Sequence, residues 1–397
     1  MAALRSNSAL TACASCGASR SRALTSKPAA TSLALASGWL AALLATAQLA
    51  HAQDNNVQLF GSAAVSVVHL SHQADGTGAR QITGPWTGPT LGVRGSESLG
   101  GGLTASFRFE SSLDLQSGVG GRTVAGTPRF FDKAAWLSLG NEQVSLTAGR
   151  QLHAGIDRIA ETLDPFYANA DGKLILSTLA LNATNTFAGF DTRVDQALKL
   201  RAQLPGGVKA GLSYGFETEG KLGKSLSADL GWQTQQMGLG AYLFNYKNAT
   251  GQLEQKTWGL GGNYLLGTAR VHAHYMKAQH DKSAGGASRQ SDAVWAFGVT
   301  YPLTPALTLR AAYYRDGGSD VGGASGRDGT RSTALLMGDY ALSKRTSLNM
   351  GVFRNGLSGA FTTDPTSLSV LGLINPTTKA ISGSSSTGVA VGMTHRF

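Results

Sequence analysis

His272-Ala-His274 is the pair of side chains best spaced here for holding a metal ion. Residues two apart on a strand share a face. The alternation with Val271, Ala273 and Tyr275 turns both rings inward. Two imidazoles are only half of a tetrahedral set, and no fixed third ligand can be named, so no metal and no cofactor is expected. Cys13-Ala-Ser-Cys16 has the spacing of a redox or zinc pair, but both cysteines fall in a segment expected to be removed. The exported chain then carries no thiol and no disulfide. Serine, histidine and aspartate are all present, yet no Gly-x-Ser-x-Gly precedes a helix-like segment. The glycine clusters at 100–102 and 118–121 lack the strand-loop-helix setting of a phosphate cradle and read as turns. No catalytic residue is assigned, and enzyme chemistry is not expected. Positive charge is what remains, at a formal +10 over 397 residues. It is spread over alternating segments and not gathered in one stripe, so a nucleic-acid partner is not expected either.

The elements that position these charges follow from the pattern. Residues 1–52 read as a secretory signal: Arg5, Arg20, Arg22 and Lys27 lead, an Ala/Leu run from Ser32 to Ala50 follows, and Ala50-His51-Ala52 supplies the small residues before a cut at Gln53. Removing four basic residues and no acids takes the charge from +10 to +6. Beyond it no run of about 18 apolar residues occurs, so a membrane helix is not expected.

From residue 57 the hydrophobic period is two. Val208, Ala210, Leu212, Tyr214 and Phe216 alternate with Lys209, Gly211, Ser213 and Gly215, and Leu226, Ala228, Leu230 and Trp232 alternate with Ser227, Asp229 and Gly231. Such segments are strands with one apolar and one polar or small face. Sixteen are expected, at approximately 57–70, 86–97, 101–114, 128–139, 142–150, 191–203, 207–217, 223–234, 237–247, 254–265, 268–279, 290–301, 305–315, 330–341, 344–355 and 386–397. Short connections (Gly140-Asn141, Pro205-Gly206, Pro302-Leu303-Thr304, Leu342-Ser343) tend to alternate with long ones rich in Gly, Ser, Asp and Thr, such as 71–85, 115–127, 151–190, 316–329 and 356–385. An even strand number, segments near ten residues and alternating short and long connections predict an all-β antiparallel transmembrane barrel, with short periplasmic turns and long external loops. Tyr242, Tyr246, Trp258, Tyr264, Tyr313 and Tyr340 are expected in its interfacial aromatic girdles.

The run Leu91-Gly-Val-Arg-Gly-Ser-Glu-Ser-Leu-Gly-Gly-Gly-Leu103 resembles the general porins of Gram-negative bacteria, of the proteobacterial trimeric type. Phe107-Arg-Phe-Glu110, Gly149-Arg-Gln151, Asp164-Pro-Phe166 and the terminal Gly392-Met-Thr-His-Arg-Phe397 extend the resemblance. It implies a sixteen-stranded barrel over 53–397, a homotrimer in the cell outer membrane among lipid and lipopolysaccharide, and a water-filled channel for small hydrophilic solutes and ions. It further implies that loop 151–190 folds inward as a constriction and that Phe397 is read by the barrel-assembly machinery.

In that family, basic groups on the wall face acidic groups on the third loop. Alternation places Arg94, Arg108, Arg193, Lys199 and Arg201 on the inner wall beside Glu110, and Lys133 stands where relatives usually carry a wall arginine. The loop offers Asp157, Glu161, Asp164 and Asp171. Two departures, Thr90 at a place where relatives often have arginine and Asp-Pro-Phe in the loop, imply a wider or less polarised constriction. Basic candidates outnumber acidic ones, which predicts a mild anion preference. Arg315, Arg327 and Arg331 are expected in solvent or at lipid phosphates. The rival readings are a channel selective for one small anion or nutrient, bound by loop residues and aromatics such as Tyr314, and a barrel that scaffolds an enzyme or adhesin.

Overall fold

The computed structural model describes residues 56–397 apart from 77, 85–87, 125–126, 167–191, 217–222, 249–252 and 282–287. The expected signal segment 1–52, Asp171 and the greater part of loop 151–190 lie outside the described residues.

Period-two patterning gives strands throughout. They are β1 (Asn56–Leu70), β2 (Ala79–Thr83), β3 (Thr90–Gly100), β4 (Leu103–Ser112), β5 (Arg122–Val124), β6 (Thr127–Arg129), β7 (Ala134–Gly140), β8 (Val144–Leu152), β9 (Arg193–Leu204) and β10 (Val208–Gly215). The second half holds β11 (Ser225–Gln233), β12 (Met237–Lys247), β13 (Leu253–Leu266), β14 (Ala269–His280), β15 (Gln290–Pro302), β16 (Leu307–Ser319), β17 (Gly329–Ala341), β18 (Thr346–Gly359) and β19 (Ser385–Arg396). Each wall strand pairs antiparallel with the next, and β19 pairs with β1 from Ser62↔Arg396 to Leu70↔Gly388, which closes the sheet. β2 and β3 pair with successive stretches of β1 and occupy one place in the wall, while β5 and β6 form a separate hairpin. The described strands therefore make a closed barrel of sixteen wall positions.

Alternation decides the two faces. In β7, Leu137 and Leu139 are 62% and 48% exposed while Ser138 between them is 8% exposed. Leu146, Leu200, Leu212, Leu230 and Leu260 repeat this outward apolar face around the barrel. An exposed apolar belt suits hydrocarbon, and the closed ladder pairs the backbone polar groups that hydrocarbon cannot. The tight turns use local acceptors. Asn141 Oδ1 accepts from the Gln143 and Val144 amides, Thr304 Oγ1 from Ala306 and Leu307, and Ser343 Oγ from Arg345 and Thr346.

Three expectations are corrected. Trp258, Tyr264, Tyr313 and Tyr340 do lie exposed on the outer face, but Tyr242 and Tyr246 are each only 5% exposed and point inward with Phe244. Their strand carries apolar residues on both faces, so alternation alone does not separate in from out. β2 lies within the stretch read as loop 71–85. The stretch read only as the long connection 356–385 has structure of its own: Phe361, Leu368 and Leu373 form a small core with Val321 and Leu357, and Asp364 caps the helix Pro365–Val370 by accepting from the Ser367 amide at 2.8 Å.

Candidate functional site

After β8 the chain turns into the barrel as a helical turn, Ala154–Arg158, continued by a π-helical turn, Ile159–Leu163. Its apolar residues Ile156, Ile159 and Leu163 are buried among Tyr242, Met276, Val294, Ala296 and Tyr314 of the inner wall. Early helix amides lack partners within the helix. Here the Ala154 amide donates to Ser213 Oγ at 3.1 Å and the Gly155 amide to Ser227 Oγ at 2.9 Å. Arg158, 1% exposed, donates through Nε and Nη2 to Asp229 Oδ2 at 3.0 and 2.7 Å. The wall leaves room for it at Gly231 and Gly240, where an added Cβ would fall 2.3 and 2.5 Å from its atoms.

The loop acids find bases immediately beside them. Lys199 Nζ lies 2.7 Å from Asp157, and Arg201 lies 3.7 Å from Asp157, 3.2 Å from Glu161 and 2.7 Å from Asp229. Lys209 approaches Glu161 at 3.6 Å. Asp164 is buried and accepts from Tyr314 Oη at 2.5 Å. Asp157, Glu161, Lys199 and Arg201 are thus brought together, but as neighbouring ion pairs. They do not face one another across an open channel, because the loop lies against the very strands that carry those bases. Tyr314, offered above as a lumen aromatic for a solute, is 0% exposed and serves the loop instead.

The other basic candidates stand on a different stretch of wall. Arg94 and Arg108 are direct partners across β3 and β4, on the face shared with Gln58 and Trp136. Arg108 pairs with Glu110 at 2.6 Å, while Arg94 donates to the neutral Gln58 Oε1 at 3.3 and 3.2 Å. Arg193 Nε donates to the Lys133 carbonyl at 3.0 Å, and Lys133 is buried.

Several charges at the root of the loop escape simple alternation. Arg129 and Arg150 converge on Asp195 at 2.5 and 2.6 Å, and Arg122 reaches Asp132 at 3.3 Å. Arg150 follows Gly149, where the register between β8 and β9 shifts and φ is +119°; a Cβ there would lie 2.3 Å from the Ala135 carbonyl oxygen. At this bulge Arg150 is buried and donates through Nε to the Asp132 carbonyl at 2.7 Å. Gly149 is the sequence signal for it. Among the described residues, the carboxylates of Glu110, Asp132 and Asp195 meet bases of this part of the chain.

His272 and His274 share the inner face, as expected from alternation. His274 Nε2 lies 3.1 Å from Tyr242 Oη, and among the described residues no three metal-binding side chains converge. Arg331 corrects another expectation. It is 4% exposed, pairs with Asp316 at 2.5 Å and Asp292 at 3.2 Å, and its Cζ lies 4.3 Å from the Phe361 ring centroid. Folding of the last long loop onto the inner wall is what removes it from solvent.

Comparison with known proteins agrees with this architecture. A model of the Gram-negative porin family matches residues 40–360. Outer membrane porin protein 32 of Delftia acidovorans is 24% identical over 375 residues, 90% of this chain and 98% of that protein. An anion-selective porin from Comamonas acidovorans has a similar structure, with a TM-score of 0.71 at 21% identity over 87% of this chain and 100% of that one. OmpT of Vibrio cholerae in a trimer form gives 0.62 at 14% identity over 87% and 100%. A closed sixteen-position barrel, an inward loop after β8 and a family match across most of the sequence lead to one conclusion: the chain belongs to the Gram-negative porin family and forms a channel of the outer membrane.

Proposed function

We propose that residues 53–397, after removal of the signal segment, form a passive pore for small hydrophilic solutes and ions with a mild anion preference, and that transport needs no catalytic step or cofactor. Loop 151–190 narrows the pore, with Asp157, Glu161 and Asp164 on its described part and Asp171 beyond it. Lys199 and Arg201 hold that loop, while Arg94, Arg108, Lys133 and Arg193 line the path. The observation that carries the preference is the Arg94 and Arg108 pair on the inner wall of β3 and β4, which meets one carboxylate, Glu110, while Asp157 and Glu161 of the loop are occupied by Lys199 and Arg201. A net positive wall beside low-dielectric protein concentrates anions. The anion selectivity of the Comamonas porin is consistent with this reading, and the trimer form of OmpT supports a homotrimer. Phe397, whose amide and carbonyl bond Gly61 at 3.1 Å each, is proposed as the assembly signal.

Single-channel conductance of the refolded 53–397 chain in a planar bilayer tests this. Current steps grouped in threes, with a reversal potential on the anion side in a potassium chloride gradient, are expected. A folded, heat-modifiable barrel that carries no current would refute the pore.

A further inference from the structure

We propose that Arg94 and Arg108, with Trp136, form a binding subsite for flat organic carboxylates, aromatic monocarboxylates above all, on the inner wall of β3, β4 and β7. The inference rests on the channel reading and adds a solute class to it.

Two arginines occupy directly opposed positions of adjacent strands. Like charges placed so destabilise a sheet unless something answers them. Glu110 answers one, holding Nε and Nη2 of Arg108 at 2.8 and 2.6 Å. Arg94 spends its Nε and Nη2 on the neutral Gln58 oxygen. Both guanidinium groups are held over one ring, with Cζ atoms 5.2 Å (Arg94) and 4.6 Å (Arg108) from the Phe60 centroid. Stacking on an aromatic face orients the planar fork without neutralising it. The result is a preorganised pair of forks bearing one net positive charge.

The space beside them has a matching shape. A pocket of about 290 Å³ is bounded by both arginines, Gln58, Ser96, Ser106 and Trp136. Trp136 is the direct strand partner of Arg108, so the two side chains stand on the same face and both line this pocket. Serine hydroxyls add donors at the edge. A carboxylate accepting from the Arg94 fork would leave its flat body against the indole. A tetrahedral oxyanion would use the charge but gain nothing from the ring. Phe60 and Trp136 at inner-wall positions, where a water-filled pore favours polar residues, are explained by this use.

The test uses the full refolded pore in potassium chloride, with benzoate and then acetate added to either side. Saturable reduction of the chloride current by benzoate at lower concentrations than by acetate is expected. Arg94→Gln should raise the half-blocking benzoate concentration on the order of tenfold, the effect of losing one charge-assisted hydrogen-bonding partner. Arg94→Lys, which keeps the charge and loses the fork, should fall between. Trp136→Leu should weaken benzoate block severalfold and leave acetate block unchanged. Each variant is compared with its own chloride current, and its folding is checked by heat modifiability. Equal block by benzoate and acetate, or benzoate block insensitive to both Arg94→Gln and Trp136→Leu, overturns the subsite while leaving the pore standing. Absence of chloride current in the unmodified chain overturns the pore itself.

Discussion

Two stretches of the inner wall carry most of its charge and treat it in opposite ways. Beneath the helical turn 154–163, Arg158, Lys199 and Arg201 meet Asp157, Glu161 and Asp229 in contacts of 2.7 to 3.7 Å, with Arg158 and Asp229 withdrawn from solvent. On β3 and β4, Arg94 and Arg108 stand opposite each other, with the Glu110 carboxylate on Arg108 and the neutral Gln58 amide on Arg94. Charge in the first region fastens a loop. The second, with two guanidinium groups and one carboxylate, keeps a net positive charge that an ion passing through the barrel senses. Basic residues in a porin wall are therefore not one population: neighbours on adjacent strands can be structural or electrostatic according to what lies within 4 Å of them.

The contrast can be broken most severely at Asp229. Asp229→Asn leaves the buried Arg158 with only its longer 3.5 Å carboxylate contact to Glu161, and breaking one partner of a buried pair costs about 3–5 kcal/mol. A lower temperature for heat modification and a noisier open-channel current are expected. An unaltered barrel with quiet current would mean the loop is held by its apolar contacts alone. Salt acts on the other region. The screening length falls from about 10 Å at 0.1 M to about 3 Å at 1 M. Anion preference, measured by reversal potential at fixed gradient, should fade over that range while thermal stability changes little. A smaller effect is expected from Tyr314→Phe. Loss of its hydrogen bond to Asp164 should cost about 1 kcal/mol and appear as a modest drop in the same melting transition. Least of all should change in the double variant Lys199→Gln with Asp157→Asn, which removes a pair and leaves the net charge intact. Its reversal potential should match the unmodified pore, and a clear shift would show that the pair contributes to the field.

The barrel was legible because its cause is local. Ser138 between Leu137 and Leu139, or Ser227 between Leu226 and Ala228, is enough to orient a strand, and Asn141, Thr304 and Ser343 make their own turns. The inward direction of Arg94, Arg108, Lys199 and Arg201 came from the same alternation. What was not legible depends on contacts distant in sequence or on a break in period. Arg150 is buried where the ladder to β9 breaks beside Gly149. Arg331 is buried only because Asp292, Asp316 and the Phe361 loop reach it from elsewhere in the chain. Tyr242 and Tyr246 looked like girdle residues because Leu239, Leu243 and Phe244 make that segment apolar on both faces, which erases the signal. The loop acids were identified as charges, but their partners were set by where the helical turn comes to rest, and nothing in the spacing of residues 151–166 states that.

The most direct measurement is the reversal potential of the unmodified pore and of Arg94→Gln with Arg108→Gln, in the same potassium chloride gradient at low ionic strength. A potential on the anion side that moves toward zero or beyond in the double variant is expected if the surplus on this wall sets the preference. A cation-side potential in the unmodified pore, or an anion-side potential that the double variant leaves unmoved, would contradict it.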